Sequence, residues 1–101
     1  MKNKCNVAVL GATGYVGMEL VKILSKHNKV NINFLGSETS KNSYLSSIDG
    51  RIKFKNFPKL KKNDLFDPHF SDCVFLALPH SVSHNYVKKF HNKIKIIDLS
   101  A

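Results

Sequence analysis

The chain has 101 residues, with 16 Lys and Arg against 7 Asp and Glu, and therefore carries a formal net charge of +9. This length allows one domain and excludes a two-domain enzyme within the chain, because single domains usually contain about 100–150 residues. A hydrophobic fraction of 43% allows the chain to bury a core of its own.

Composition also limits the compartment and the partners that we expect. No apolar run approaches the roughly 20 residues that span a bilayer, so we expect a cytoplasmic protein with no membrane partner. Cys5 and Cys73 lie far apart and neither belongs to a CxxC pair, which indicates neither a disulfide framework nor a zinc site. The lysines are dispersed and accompany no recognition motif, so we expect no nucleic-acid partner.

The first part of the chain has the pattern of a strand, a helix and a second strand. Residues 6–10 form an apolar run that Gly11 ends, as is typical of a buried parallel strand. Residues 30–35 predict the second strand, which Gly36 ends. Between them, apolar residues at helical spacing predict a helix that buries one face: Val16, Leu20, Ile23 and Leu24. This is a βαβ unit, whose crossover is right-handed.

The pattern weakens over residues 37–72 and then returns. Residues 52–55 alternate as in a short strand, and Asp67-Pro68 predicts a turn. A third apolar run at residues 73–78 predicts another buried strand, which Pro79 breaks. A helix is predicted over residues 83–91, with its apolar face formed by Val82, Tyr86, Val87 and Phe90. Residues 94–99 predict the last strand.

The succession of elements predicts an α/β fold, a Rossmann-type doubly wound parallel sheet with helices on both faces. Ligands in such sheets bind outside the carboxyl ends of the strands. Because the chain stops at the end of a strand, we expect the sheet to be incomplete at the C-terminus and the chain to be a piece of something longer.

The loop between the first strand and the first helix has a GxxGxxG pattern, which favours dinucleotide binding in this context. Gly11 permits the tight turn, Gly14 lets backbone amides approach a pyrophosphate, and Gly17 lets the helix pack on the sheet. The helix N-terminus would offer N–H groups to the phosphates. The alternative is that these glycines serve only turning and packing.

The residues after the second strand bear on which dinucleotide is bound. An NAD enzyme usually carries Asp or Glu there to hold the ribose 2′-hydroxyl, whereas this chain has Ser37. Hydroxyl groups and a lysine would suit a 2′-phosphate, although Glu38 argues the other way. We therefore predict NADP rather than NAD, with these residues facing the phosphate: Ser37, Thr39, Ser40 and Lys41.

The segment after the third apolar run should flank the cofactor. Leu78, Pro79 and His80 would lie at the same sheet edge as the glycine loop. His80 and His84 have the spacing of a metal pair on a helix, but no further ligands accompany them. Pro79 and Ser81 place His80 before the helix, so we predict no metal and keep a hydrogen-bonded loop histidine as the alternative.

Three separated motifs together resemble the N-terminal part of the N-acetyl-gamma-glutamyl-phosphate reductase family: GATGYVG at 11–17, FLALPHSVS at 75–83 and IIDLSA at 96–101. The related aspartate-semialdehyde dehydrogenases share the glycine loop but usually lack the Leu-Pro-His sequence. The reductase family usually has Gly where Ser81 stands, and its last motif continues into a stretch that this chain lacks.

The resemblance implies that residues 1–101 form the N-terminal part of an NAD(P)-binding domain, with the catalytic and substrate domain absent. It implies NADPH-dependent reduction of N-acetyl-gamma-glutamyl phosphate to the semialdehyde in arginine biosynthesis, by an enzyme that is a homo-oligomer when full length. The family's catalytic cysteine and histidine lie in a later part of its chain. We therefore expect no catalytic residue here, and structural roles for Cys5 and Cys73.

Transferred motif by motif, the resemblance gives a set of cofactor-binding residues. Leu78, Pro79 and His80 would border the adenine and ribose, and Ser100 would approach the nicotinamide half. The complete set is Gly11, Thr13, Gly14, Tyr15, Val16, Gly17, Ser37, Ser40, Lys41, Leu78, Pro79, His80 and Ser100.

Three other interpretations stay open: a semialdehyde dehydrogenase of the aspartate type, a non-catalytic nucleotide-binding module, and a piece of a short-chain or sugar-modifying oxidoreductase. The last strand argues against the module, because its apolar residues suit a strand covered on both faces: Ile94, Ile96, Ile97 and Leu99. We expect the isolated chain to be marginally stable or self-associating, and inactive.

Overall fold

A computed structural model describes residues 4–39, 43–45 and 57–100. The strands are β1 (Cys5–Leu10), β2 (Val30–Gly36), β3 (Leu60–Lys61), β4 (Cys73–Leu76) and β5 (Lys95–Asp98), and the helices are α1 (Tyr15–Ser25) and α2 (His80–Phe90). Two short 3-10 turns, Asn63–Leu65 and Pro68–Phe70, lie between β3 and β4. Each predicted strand or helix that falls on described residues is confirmed, with small shifts at its ends.

The five strands form one parallel sheet in the order β3-β2-β1-β4-β5. Alternate residues of β1 face opposite sides: Val7 and Val9 belong to the core on the α1 side, and Ala8 and Leu10 to the core on the α2 side. Helices therefore cover both faces, and the predicted doubly wound Rossmann-type sheet is confirmed. Parallel strands buried on both faces explain the continuous apolar runs.

The buried face of α1 differs from the predicted one. Val16 and Ile23 are 51% and 66% exposed, whereas Gly17, Val21 and Leu24 are buried. The predicted face is therefore correct at Leu24, which is buried, and at Leu20, which packs partly buried against the core, but wrong at Val16 and Ile23. The cause is Gly17, whose bare backbone packs on the glycine loop and forces its neighbours Val21 and Leu24 toward the sheet.

Helix α2 begins at His80 and not after it, so the prediction that His80 precedes the helix is wrong. Pro79 is the N-cap residue, with φ −57°, and its missing N–H costs nothing at that position. Ser83 and Phe90 are the buried residues of α2, and Val82 is 37% exposed. Tyr86 and Val87 pack partly buried against the same core as Phe90, so the predicted apolar face is correct at these three residues but not at Val82.

The last strand is also less covered than predicted. Ile96 packs in the core under α2, but Ile97 on the opposite face is 37% exposed and Leu99 is 39% exposed. The expectation that both faces of this strand are covered is wrong within the described residues, because β5 is an edge strand and α1 packs over β1 and β2 instead.

In the described residues between β2 and β4, the chain forms β3 and the two 3-10 turns. The predicted turn at Asp67 and Pro68 is confirmed: Asp67 Oδ1 accepts the His69 N–H at 2.9 Å and caps the second 3-10 turn. The predicted strand at residues 52–55 lies outside the described residues. Strand β3 was not predicted, since a strand of two residues has no periodicity.

Candidate functional site

The carboxyl ends of β1, β2, β4 and β5 meet at one edge of the sheet, because all these strands run parallel. The glycine loop follows β1, Ser37 follows β2, Leu78 follows β4 and Ser100 follows β5. The predicted residues that fall in the described part of the chain therefore lie on the same edge. Ser40 and Lys41 lie outside the described residues.

Gly11 makes the turn that the loop requires. Its φ is +83°, which L side chains rarely adopt, and a Cβ there would overlap the Ala77 carbonyl oxygen. The same Cβ would lie 2.9 Å from Leu78 Cδ2, so the loop after β1 and the segment after β4 are in direct contact.

Gly17 and Gly14 differ in what surrounds them. A Cβ at Gly17 would overlap the Gly11 carbonyl oxygen and lie 2.9 Å from Ala12 Cα. A Cβ at Gly14 would meet only the Gly11 carbonyl oxygen, at 3.6 Å. The absence of a side chain at Gly17 therefore allows α1 to pack closely on the glycine loop. Gly14 instead faces a space that a bound group can occupy.

The first turn of α1 presents its backbone amides beside Gly14. The N–H of Met18 donates to the Gly14 carbonyl at 2.9 Å, so the amides of Tyr15, Val16 and Gly17 precede the regular pattern of the helix. The first turn contains no acidic residue and Gly14 provides no side-chain cap. This end of the helix thus keeps its partial positive charge for an anion.

Ser37 is held by the loop. Its hydroxyl lies 3.0 Å from Thr13 Oγ1 and accepts the Thr39 N–H at 3.2 Å, and the residue is 1% exposed. Thr13 and Ser37 therefore join the glycine loop to the end of β2. The part that the Ser37 hydroxyl would play toward a 2′-phosphate stays a prediction.

Asn63 completes this junction and was not predicted. It is 0% exposed, its Oδ1 accepts the Gly11 N–H at 3.1 Å, and its Nδ2 donates to Glu38 Oε2 at 3.0 Å. Asn63 is 52 residues from Gly11 and 25 from Glu38 in sequence. No local pattern marks it among the many asparagines of the chain.

The start of α2 is tied to the end of β5. Buried Ser83 donates its hydroxyl to Asp98 Oδ1 at 2.7 Å, and the same oxygen accepts the Ser100 N–H at 2.9 Å. The Ser100 amide and the Ser83 hydroxyl lower the pKa of Asp98. Asp98 is therefore ionised and fixes Ser100 beside the first turn of α2.

Histidine and cysteine offer little further chemistry at this edge. His80 and His84 are exposed on α2, and the described ranges contain no cluster of three or more His, Cys, Asp or Glu that could hold a metal ion. Burial raises the pKa of the Cys73 thiol, and Cys5 raises it further, which agrees with a structural role. Cys5 is exposed, so burial does not explain a structural role there.

In the described part of the chain, no helix has the length and apolar character that a membrane span needs.

Comparison with known proteins identifies the family. Residues 6–101 match the family model described as semialdehyde dehydrogenase, NAD binding domain. The chain belongs to this family. The match begins in β1 and includes all the strands whose carboxyl ends form the candidate site.

Sequence relatives extend the comparison. The chain is 44% identical to the N-acetyl-gamma-glutamyl-phosphate reductase of Ehrlichia canis (strain Jake), over 100% of this chain and 30% of the relative. It is 40% identical to the enzyme of the same name from Methanosphaera stadtmanae, over 97% of this chain and 28% of the relative. The resemblance to these reductases is confirmed, and the chain spans about 30% of the length of such relatives.

Solved structures agree on the architecture. Aspartate semialdehyde dehydrogenase with NADP from Candida albicans superposes with a TM-score of 0.74 at 24% identity, over 96% of this chain and 30% of that one. A probable aspartate-semialdehyde dehydrogenase from Pseudomonas aeruginosa gives 0.73 at 27% identity, over 96% of this chain and 28% of that one. The first likeness establishes the fold only.

Proposed function

We propose that this chain is the N-terminal, cofactor-binding part of an NADPH-dependent reductase that converts N-acetyl-gamma-glutamyl phosphate to the semialdehyde in arginine biosynthesis. The observation that carries the proposal is the open space at Gly14 beside the first amides of α1. Similarity to the named reductases at 44% identity favours this substrate over aspartyl phosphate.

The described residues fit a dinucleotide laid across the sheet edge. The amides of Tyr15, Val16 and Gly17 would bind the pyrophosphate, and Thr13 would hold the loop in place through Ser37. The adenosine side would lie along the remaining predicted residues that the structure describes after β2 and β4: Ser37, Leu78, Pro79 and His80. Ser40 and Lys41, outside the described residues, stay part of the prediction. Ser100, fixed by Asp98, would face the nicotinamide half.

Bound NADPH supplies the hydride, and the residues of this chain bind and orient it. The catalytic groups belong to the part of the reductase beyond residues 1–101. We therefore propose that the isolated chain binds the nucleotide without turning over the acyl phosphate. Homo-oligomerisation and a cytoplasmic location belong to the same proposal for the full-length enzyme.

The test uses Gly14→Ser, because serine is a favourable N-cap residue and the extended Gly14 backbone, at φ −76°, accepts it. The added side chain enters the space that the pyrophosphate would occupy. We expect NADPH affinity to fall by about tenfold or more, a loss of about 1.4 kcal/mol, with the midpoint of thermal unfolding unchanged. Titration calorimetry measures the affinity.

Asn28→Ser, at an exposed position in the turn between α1 and β2, is the matched control and should bind NADPH as the wild type does. Wild-type chain that binds no dinucleotide at millimolar concentration would overturn the proposal. Equal NADPH affinities in Gly14→Ser and the wild type would show that the loop does not contact the diphosphate.

A further inference from the structure

Asn63 bridges two parts of the proposed cofactor site through a single buried amide. Its Oδ1 accepts the Gly11 N–H at 3.1 Å, and this N–H is shared with the Gly36 carbonyl at 3.0 Å. Its Nδ2 donates to the Glu38 carboxylate at 3.0 Å. Gly36 allows this approach, since a Cβ there would overlap Asn63 Oδ1.

The residues that follow β2 send their side chains to different partners. The Ser37 hydroxyl bonds Thr13 in the glycine loop, whereas the Glu38 carboxylate bonds Asn63. Glu38 also lines a groove against α2, together with Asp64, Val82, Asn85, Tyr86 and Lys89. The carboxylates of Glu38 and Asp64 add to the effect of burial in raising the pKa of Tyr86, which agrees with their facing α2.

A carboxylate at the end of β2 decides between the two dinucleotides. Placed against the adenosine ribose, it accepts a hydrogen bond from the 2′-hydroxyl of NAD, and it repels the 2′-phosphate of NADP. Glu38 is the only acidic residue between Gly36 and residue 48 of this sequence. The position of the Glu38 carboxylate therefore affects the selectivity between NADPH and NADH.

We propose that Asn63 is a positioning residue for nucleotide selectivity. By binding the Glu38 carboxylate beside the later residues of α2, such as Asn85 and Lys89, and not beside His80 at the start of the helix, it keeps negative charge away from the 2′-phosphate of NADPH. The chain then accepts NADPH although an acidic residue follows β2. This inference rests on the proposed function, because it presupposes that the adenosine half lies at the end of β2.

The first test is Asn63→Asp. The substitution keeps an oxygen for the Gly11 N–H but replaces the donor to Glu38 by a carboxyl group. The two groups repel each other where both are ionised, so the titrations are made at a pH high enough to prevent them from sharing a proton. Without that donor, Glu38 turns toward the ribose. We expect NADPH affinity to fall about tenfold while NADH affinity changes less than about twofold.

Two variants at the exposed Glu38 leave the buried side-chain amide of Asn63 unchanged. Glu38→Gln keeps an oxygen that accepts from Asn63 and removes the charge, so it should bind NADPH at least as tightly as the wild type. Glu38→Asp keeps the charge on a side chain too short to reach Asn63, and it should lower NADPH affinity by about threefold even if Asn63→Asp does not fold.

The double variant Asn63→Asp with Glu38→Gln reverses the hydrogen-bonded pair, because the amide introduced at position 38 now donates to the carboxylate introduced at position 63. It should restore the wild-type ratio of NADPH to NADH affinity. A merely structural role for Asn63 would weaken both nucleotides equally and would not be rescued in this way.

Titration calorimetry of all variants with NADPH and NADH gives the ratios, and thermal unfolding shows which variants are folded. An unchanged ratio in both Asn63→Asp and Glu38→Asp would overturn the inference while leaving the proposed function intact. Wild-type chain that binds neither nucleotide would instead overturn the proposed function.

Discussion

Gly17→Ala tests how closely α1 packs on the glycine loop. A Cβ at this position would overlap the Gly11 carbonyl oxygen and come within 2.9 Å of Ala12 Cα. Both neighbours are backbone atoms of a loop that Gly11 already holds in a left-handed conformation, so no side chain can rotate away. The methyl group is accommodated only if α1 moves off the sheet, which loosens the packing of Val21 and Leu24.

The size of the effect follows from two opposing contributions. Forcing a methylene-sized group into a packed region costs about 1–3 kcal/mol. Alanine is favoured over glycine inside a helix by about 1 kcal/mol, which offsets part of this cost. We expect a net loss of about 1–2 kcal/mol, equivalent to about 5–15 °C in the unfolding midpoint of a domain of this size.

Urea unfolding followed by circular dichroism measures this loss directly, with Gly14→Ser as the matched control. The two glycines begin the same helix, but a Cβ at Gly14 meets only one atom, at 3.6 Å. Gly14→Ser should therefore unfold as the wild type does. A Gly17→Ala chain as stable as the wild type, or more stable, would refute the close packing of helix on loop.

Three further predictions concern the contact of α2 with β5, the pH dependence of stability, and the thiols. Ser83→Ala should cost about 1 kcal/mol in urea unfolding, because buried Ser83 loses its bond to Asp98. The lowered pKa of Asp98 stabilises the fold above its ordinary value of 3.8, and this contribution is lost as the pH falls through the folded-state pKa. Asp98→Asn should therefore flatten the dependence of stability on pH below about 4, and an unchanged slope would contradict this. Exposed Cys5 should react at once with a thiol reagent and buried Cys73 only on unfolding, so rapid modification of both would contradict the burial of Cys73.

The amino-acid sequence by itself determined the elements whose signal is local. The runs in β1 and β4 are almost continuously apolar because parallel strands are covered on both faces, and they are visible without knowledge of their neighbours, whereas Asn31 and Asn33 interrupt the apolar residues of β2. The glycine loop is likewise recognisable, since a turn, a close approach and a helix start follow one another within a few residues.

Only the tertiary structure decided the features that depend on distant residues. Glycine has no hydrophobic side chain, so periodicity placed Val16 and Ile23 on the buried face of α1 although Gly17 faces the sheet. Asn63 reaches Gly11 across 52 residues of sequence, and nothing near it in the chain marks that contact. Packing brings such groups together only when the sheet has formed, because the hydrogen bonds that distinguish them join separate elements of the fold.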